Sequence, residues 1–245
     1  MPSRSVLQHY NPFFFYGKQS FIFFFNLNFN IISLVSEQLL QMQKQYKLIT
    51  PGSSVLDLGC APGAWLQVAC QSLGPLKNNG AVVGIDLKKV KVPAMHCDSR
   101  VQTVCADVMK LPRDQIRDLS PQQKGFSVVL SDMCPLVSGI TTRDAVLSAE
   151  LGLRALNLAV GGGALPHSDD NVQLDGQSDG SVSAPGNNGA LQPGGHLVIK
   201  LLESEEIKEI GQSCKSLFRK TSWLRPKATR SCSREIYLIC QGLRH

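Results

Sequence analysis

From residue 36 onward, short apolar runs alternate with stretches whose apolar residues recur at helical spacing. Val55–Leu58, Ala81–Ile85, Val101–Cys105, Phe126–Leu130 and His196–Leu202 are too short for helices and largely apolar, so they read as buried strands. Leu39, Leu40, Met42, Tyr46 and Leu48 predict a helix that Pro51-Gly52 closes. Trp65–Leu73, Leu111–Leu119, Asp144–Val160 and the amphipathic Glu203–Phe218 predict further helices. Ser222–Leu224 and Glu235–Cys240 supply a sixth and a seventh strand. Strands alternating with helices predict an α/β fold: a mostly parallel, doubly wound sheet of about seven strands with helices on both faces.

Two stretches break the pattern. Residues 1–35 hold eight of the ten phenylalanines, interrupted by Asn26, Asn28 and Asn30, and follow neither the helical nor the strand period. Residues 21–35 are too short and too rich in asparagine for a membrane span, and stable membrane association is not expected. With Arg4 and Lys18 and no acid before Glu37, residues 1–38 read either as an organellar presequence or as a segment foreign to the native protein, from a retained intron or mis-called exon. Residues 161–193 are Gly, Ser, Asp, Asn and Pro with few large apolar groups. Such a stretch buries too little surface to offset its ordering entropy, so a disordered acidic insert is expected there, within a domain running from 39 to 245.

Charge follows this organisation. The net +6 divides into +3 over residues 1–50, +2 over 51–160, −4 over 161–192 and +5 over 193–245. A mild basic excess at the two ends suits a polyanionic partner and equally suits ordinary solubility. The eight cysteines form no C-x-x-C pair and several sit in apolar runs, so they read as reduced, buried thiols, and no metal site is expected.

In an open α/β sheet, ligands bind beyond the carboxyl ends of the strands. The chain places Gly59 and Gly63 after the first strand, Asp86 after the second, Asp107 after the third, Asp132 after the fourth and Lys200 late in the fifth. A carboxylate at Asp86, 27 residues past Gly59, suits both hydroxyls of an adenosine ribose. Asp107 suits the adenine amino group, or is an ordinary turn aspartate. The turn Gly59-Cys-Ala-Pro-Gly63 lacks the second glycine of G-x-G-x-x-G, which a pyrophosphate needs for close approach. S-adenosylmethionine (SAM), which has no phosphate, fits better than NAD. A lysine in a buried strand must snorkel or pair, and Asp132 is its natural partner, with Glu235 able to complete the cluster. A structural ion pair without chemistry is the plainer alternative. For a ribose 2′-hydroxyl, a poor nucleophile, such a cluster could hold the oxygen in line with a methyl group and relieve it of its proton.

Val55-Leu-Asp-Leu-Gly-Cys-Ala-Pro-Gly-Ala-Trp65, Leu130-Ser-Asp-Met-Cys-Pro135, Pro193-Gly-Gly-His-Leu-Val-Ile-Lys200 and Ser231-Cys-Ser-Arg-Glu-Ile-Tyr237 together resemble the FtsJ (RrmJ-type) ribosomal RNA 2′-O-methyltransferases, with the mitochondrial rRNA methyltransferase 2 group among the nearest in pattern. The resemblance covers about residues 39 to 241, apart from the insert. It implies a Rossmann-like SAM-dependent methyltransferase acting on a uridine 2′-hydroxyl of large-subunit rRNA or of the pre-ribosomal large subunit. It implies SAM contacts from Gly63, Trp65, Asp86, Asp107 and Asp132, and Lys200 as the central catalytic residue with Asp132 and Glu235 beside it. It also implies basic residues near the RNA, for which Lys227, Arg230 and Arg234 fit. A monomer is expected, in the mitochondrion, with plastid and cytoplasm as alternatives. One departure stands out: where the family carries a further catalytic lysine ahead of the first strand, ungapped alignment back from Pro51-Gly52 places Gln38. The expectation is retained SAM binding with weakened RNA binding and catalysis.

Overall fold

The structure is a computed structural model that describes residues 34–161, 189–229 and 233–244. Helix α1 spans residues 34–46, and strand β1 (Ser54–Leu58) follows. Next come α2 (Ala64–Ser72), β2 (Ala81–Asp86), β3 (Val101–Cys105), α3 (Arg113–Asp118), β4 (Phe126–Ser131) and α4 (Thr141–Val160). β5 (Leu191–Leu202), α5 (Ile207–Leu217), β6 (Phe218–Leu224) and β7 (Glu235–Leu243) complete the chain.

The strands form one sheet in the order β3-β2-β1-β4-β5-β7-β6. β7 runs antiparallel to β5 and to β6, while the remaining neighbours pair in parallel. The α/β, mostly parallel seven-stranded expectation is met. From β1 the chain winds outward through β2 and β3, then crosses back to β4 on the other side of β1. That reversal opens a crevice between the carboxyl ends of β1 and β4, which is where such sheets bind ligands.

Alternation along the strands sorts the core into two layers. Leu56, Leu58, Val129, Leu197 and Ile199 face the layer that includes Leu156 of α4 and Ile210 of α5. Val55, Val128, Leu130, Val198, Tyr237 and Ile239 face the layer that includes Leu39 and Met42 of α1 and Trp65 and Leu66 of α2. The second layer matters for function, because the same parity carries Asp57, Asp132, Lys200 and Glu235 to that face.

Several expected boundaries differ. β5 starts at Leu191 rather than His196: Phe126 pairs with Leu191, the register then shifts, and Val128 pairs with His196. Pro193-Gly194-Gly195 is thus an irregularity inside a strand, not a loop before one, and residues 191–193 belong to the sheet rather than to the insert. At Gly195 a Cβ would meet Ser127 O at 2.9 Å, so only glycine lets the two backbones approach here. β6 begins at Phe218, four residues ahead of the expected Ser222, and displaces the end of the preceding helix to Leu217. α1 runs without interruption across the expected boundary at 38 and 39. The phenylalanine-rich residues 13–29 and most of the expected insert, 162–188, lie outside the described residues. Among the described residues, no helix is long and apolar enough to cross a membrane, and no cluster of His, Cys, Asp or Glu could hold a metal ion.

Candidate active site

The turn after β1 is shaped by two glycines. Gly59 (φ 79°) has no room for a side chain, since a Cβ would lie 2.9 Å from Met133 Cγ. Gly63 (φ 106°) caps α2 in the left-handed region, and a Cβ there would meet Pro93 Cγ at 2.7 Å. Between them, the Ala61 N–H donates to Asp86 Oδ2 at 3.0 Å, while Asp86 Oδ1 accepts from the Lys88 N–H at 2.8 Å. Asp86 therefore ties the β1 turn to the loop after β2. The first-turn N–H groups of α2, Trp65 among them, point out of the helix toward this turn without intrahelical partners. The Trp65 side chain is 2% exposed and gives its only donor to Val35 O at 3.0 Å, so the indole supports the site from the core. Asp107 sits beyond β3, at the rim, with its Oδ1 accepting from the Met109 N–H at 3.0 Å.

At the reversal point the charged side chains form a row. Lys200 is paired across the sheet with Tyr237. On its other side Asp132 lies one step past the Ser131–Ile199 pair. Lys200 Nζ and Asp132 Oδ1 are 2.8 Å apart, with side chains only 10% and 13% exposed. Glu235 belongs to the same electrostatic cluster, two residues before Tyr237 on the same face. The structure thus joins Asp132 and Lys200 directly and sets Glu235 beside them. Burial alone would lower the Lys200 ammonium, but Asp132, Cys134 and Glu235 outweigh it and hold it above the ordinary lysine value. Burial pushes the Asp132 carboxyl upward, and Lys200 restrains that rise.

Sequence reasoning missed Asp57. It lies in β1, is completely buried, and neither oxygen has a hydrogen-bond partner among the described residues. Burial first, then the like charges of Asp132 and Asp86, push it well above the usual carboxylate range. Asp57, Asp132, Gly59, Cys60, Ala64 and Trp65 line one small recess. The available signal was an acid within an otherwise apolar strand, on the parity of Val55. Tyr237, which the sequence showed only as the last residue of the Ser231–Tyr237 motif, was missed too.

A sequence model of the FtsJ-like methyltransferase family matches residues 36–243. The chain belongs to the FtsJ-like methyltransferase family. It is 36% identical over 207 residues to the ribosomal RNA large subunit methyltransferase E of Syntrophobacter fumaroxidans, covering 84% of this chain and 87% of that one. It is 34% identical over 199 residues to the protein of the same name from Desulfatibacillum aliphaticivorans, covering 81% and 78%. In fold it resembles a solved Plasmodium falciparum structure described as a ribosomal RNA methyltransferase, with a TM-score of 0.61 at 20% identity over 85% of this chain and 96% of that one.

The cofactor of this methyltransferase is SAM, and the charge of the residues around this turn suits it. SAM is cationic at its sulfonium and its α-ammonium. The site offers two buried carboxyls, Asp57 and Asp132, the first without a hydrogen-bond partner among the described residues. The glycine turn permits close backbone approach, and Asp86 and Asp107 lie just beyond β2 and β3 at the same end of the sheet.

Proposed function

We propose that this FtsJ-like methyltransferase methylates the 2′-hydroxyl of a uridine in large-subunit rRNA, with Lys200, Asp132 and Glu235 acting on the hydroxyl. The observation that carries this reading is the buried 2.8 Å Lys200–Asp132 pair at the carboxyl ends of β5 and β4, beside the Gly59 turn. The two bacterial relatives are both named ribosomal RNA large subunit methyltransferase E, which supports rRNA as the substrate. Lys227 and Arg234 are basic groups on this side of the molecule. Arg234 is held by a 2.8 Å bond to Glu203 O, and the Lys227 N–H donates to Gln41 Oε1 at 2.8 Å. Arg230 lies outside the described residues.

When bound, SAM supplies a methyl group on a sulfonium, already electrophilic. The protein's task is to aim the ribose oxygen and remove its proton as the carbon–oxygen bond forms. Asp132 fixes the Lys200 amine toward the crevice. The ammonium form can orient the hydroxyl by donating to one lone pair. Its acidic neighbours favour the ammonium form, so the released proton would go to the minor free-amine fraction, with Glu235 stabilising the resulting ammonium. Lys200→Ala should lower methyl transfer from labelled SAM to large-subunit rRNA by about 10²–10⁴-fold while leaving SAM binding by calorimetry within a few-fold of the wild type. Unchanged turnover in that variant would refute the assignment.

Gln38 favours a second reading, a SAM- and RNA-binding protein with little turnover, because it stands where the resembled family has a lysine. The wild-type arm of the same assay separates the two: methylated rRNA supports the enzyme, whereas SAM and RNA binding without product supports the alternative. A mitochondrial site of action remains part of the proposal, and 2′-O-methyl mapping of organellar rRNA with and without the protein tests it.

A further inference from the structure

Between β2 and β3 the chain carries Lys88, Lys89 and Lys91, and residues 87–97 contain no acid. All three lysines are exposed, and none takes part in an ion pair among the described residues. The backbone beneath them is nevertheless held at several points. The Lys88 N–H donates to Asp86 Oδ1 at 2.8 Å. From β3, the Thr103 hydroxyl donates to Val90 O at 2.9 Å and the Cys105 thiol to Leu87 O at 3.3 Å. Val90 and Val92 pack against the core layer that contains Trp65 and Leu66. Pro93 closes against Gly63 at the start of α2. Residues 87–92 therefore form a strap fastened beside the cofactor turn, with valines turned in and lysines exposed.

Three cations within four residues repel one another, and no acid of the described protein pairs with them. The cofactor does not account for them, because SAM is itself cationic at its sulfonium and its α-ammonium. A run of phosphates does, since lysine serves phosphate as a point charge. The place of the strap says which phosphates. It leaves the carboxyl end of β2, and Lys227 and Arg234 stand at the same edge of the sheet, after β6 and before β7. In the order β3-β2-β1-β4-β5-β7-β6, the crevice between β1 and β4 separates the two basic groups. From β2 to β7 the sheet spans about 19 Å at the usual strand spacing. One RNA strand crossing the crevice would meet the lysines on one side and Arg234 on the other, with a ribose over the Lys200–Asp132 pair.

We propose that the 87–92 strap is a second RNA-backbone contact, in which Lys88, Lys89 and Lys91 hold phosphates on the far side of the crevice from Lys227 and Arg234. This rests on the reading of rRNA as the substrate.

The test uses the full-length protein and two readouts. In the first, lysines are acetylated with acetic anhydride, with and without an in vitro transcript of large-subunit rRNA, and read by peptide mass spectrometry. Lys88, Lys89 and Lys91 should lose most of their reactivity when RNA binds. Lys77 and Lys124, which precede β2 and β4 at the amino edge of the sheet, should keep theirs. In the second, filter binding across a salt series compares wild type with Lys88→Ala/Lys89→Ala/Lys91→Ala. The slope of log affinity against log salt should become shallower by about 2 in that variant, as expected for three lost phosphate contacts on a single strand. Replacing the same three residues by arginine should restore the slope, and Lys77→Ala/Lys124→Ala should leave it as in wild type. SAM affinity by calorimetry should stay within a few-fold of wild type throughout, because backbone bonds and valines, not the lysine side chains, fasten the strap. RNA binding by the wild type with these lysines as reactive as in the free protein, or an unaltered slope in the triple alanine variant, would overturn this inference alone. Protection by phosphatidylserine vesicles but not by rRNA would overturn it in favour of a membrane surface. A wild type that binds no rRNA would count against the substrate reading itself, and this inference would fall with it.

Discussion

At the scale of single residues, the site is governed by how many carboxyl groups share little water. Asp57 is the extreme case, fully buried and without a hydrogen-bond partner among the described residues. Its folded-state pKa lies above its unfolded value near 3.8, because burial and neighbouring acids oppose ionisation. The sign follows from linkage. The folded state binds the extra proton, so this group favours folding below the unfolded value, and that contribution is lost as pH rises toward the folded one. Asp57→Asn should therefore gain stability relative to wild type as pH increases from about 4 to 7, by up to about 1.4 kcal/mol per pH unit while the two pKa values bracket the pH. Urea titrations of both proteins at several pH values measure this, and a gap that is flat or narrows with rising pH contradicts it. The same change should weaken SAM binding in calorimetry, since a bound cation would favour the ionised Asp57 carboxylate, which the amide keeps in shape but cannot supply.

At the scale of elements, the active face depends on where helices begin and strands end. α2 starts directly from Gly63, whose positive φ sets the direction of its first turn. Gly63→Ala should cost about 1–3 kcal/mol for the left-handed backbone, with more if Pro93 cannot move away. It should also reduce SAM affinity, because the first-turn N–H groups of α2 would shift. Thermal unfolding and calorimetry with SAM are the checks; an unchanged affinity would place the cofactor elsewhere. At the end of β5, the Leu202 N–H donates to the buried Ser148 Oγ of α4 at 2.8 Å. Ser148→Ala would leave that donor without its partner, at a cost of about 1–3 kcal/mol. The resulting slack, two residues from Lys200, should lower turnover more than SAM binding.

Elements were also where the sequence was read best and worst. Buried strands such as Val55–Leu58 and Ala81–Ile85 were legible because parallel strands covered on both faces leave continuous apolar runs. The start of β5 was not. Gln192-Pro-Gly-Gly195 has turn composition, and only its pairing against β4 shows it to be an irregularity within a strand. β6 was read short because Arg219 and Lys220 lie exposed on an edge strand, where no apolar run is required.

At the scale of the whole molecule, α4 ends at Gly161 and the described chain resumes at Gly189 just before β5, and the two ends are joined closely: the Ala190 N–H donates to Leu158 O at 2.8 Å. Replacing residues 162–188 by a short Gly-Ser linker should leave the midpoint of thermal unfolding within about 4 °C, a shift that would correspond to less than about 1–2 kcal/mol for a domain of this size. A loss of cooperative unfolding would show that the segment contributes to the core. The acidic stretch carries −4 against +5 on residues 193–245. The same deletion should therefore tighten RNA binding most at low salt, where such repulsion is least screened. Filter binding across a salt series measures the effect, and an affinity gain independent of salt would point to steric rather than electrostatic interference.

The sequence by itself determined the layered α/β fold, the cofactor turn and the pairing of Asp132 with Lys200. Those features are written in local pattern: apolar runs, glycines at a sharp turn, and charged residues at strand ends, where a buried sheet leaves them nowhere else to go. Tertiary structure alone decided what Asp57, Tyr237 and Gln38 do. Asp57 is a buried acid only because β1 lies inside the sheet, flanked by β2 and β4. Tyr237 stands beside Lys200 only because β7 inserts antiparallel between β5 and β6. Gln38, which in sequence looks like the loss of a charge, meets Tyr237 across 199 residues of chain. No local pattern specifies a hydrogen bond of that span. Its partner is chosen by the packing of α1 over the sheet.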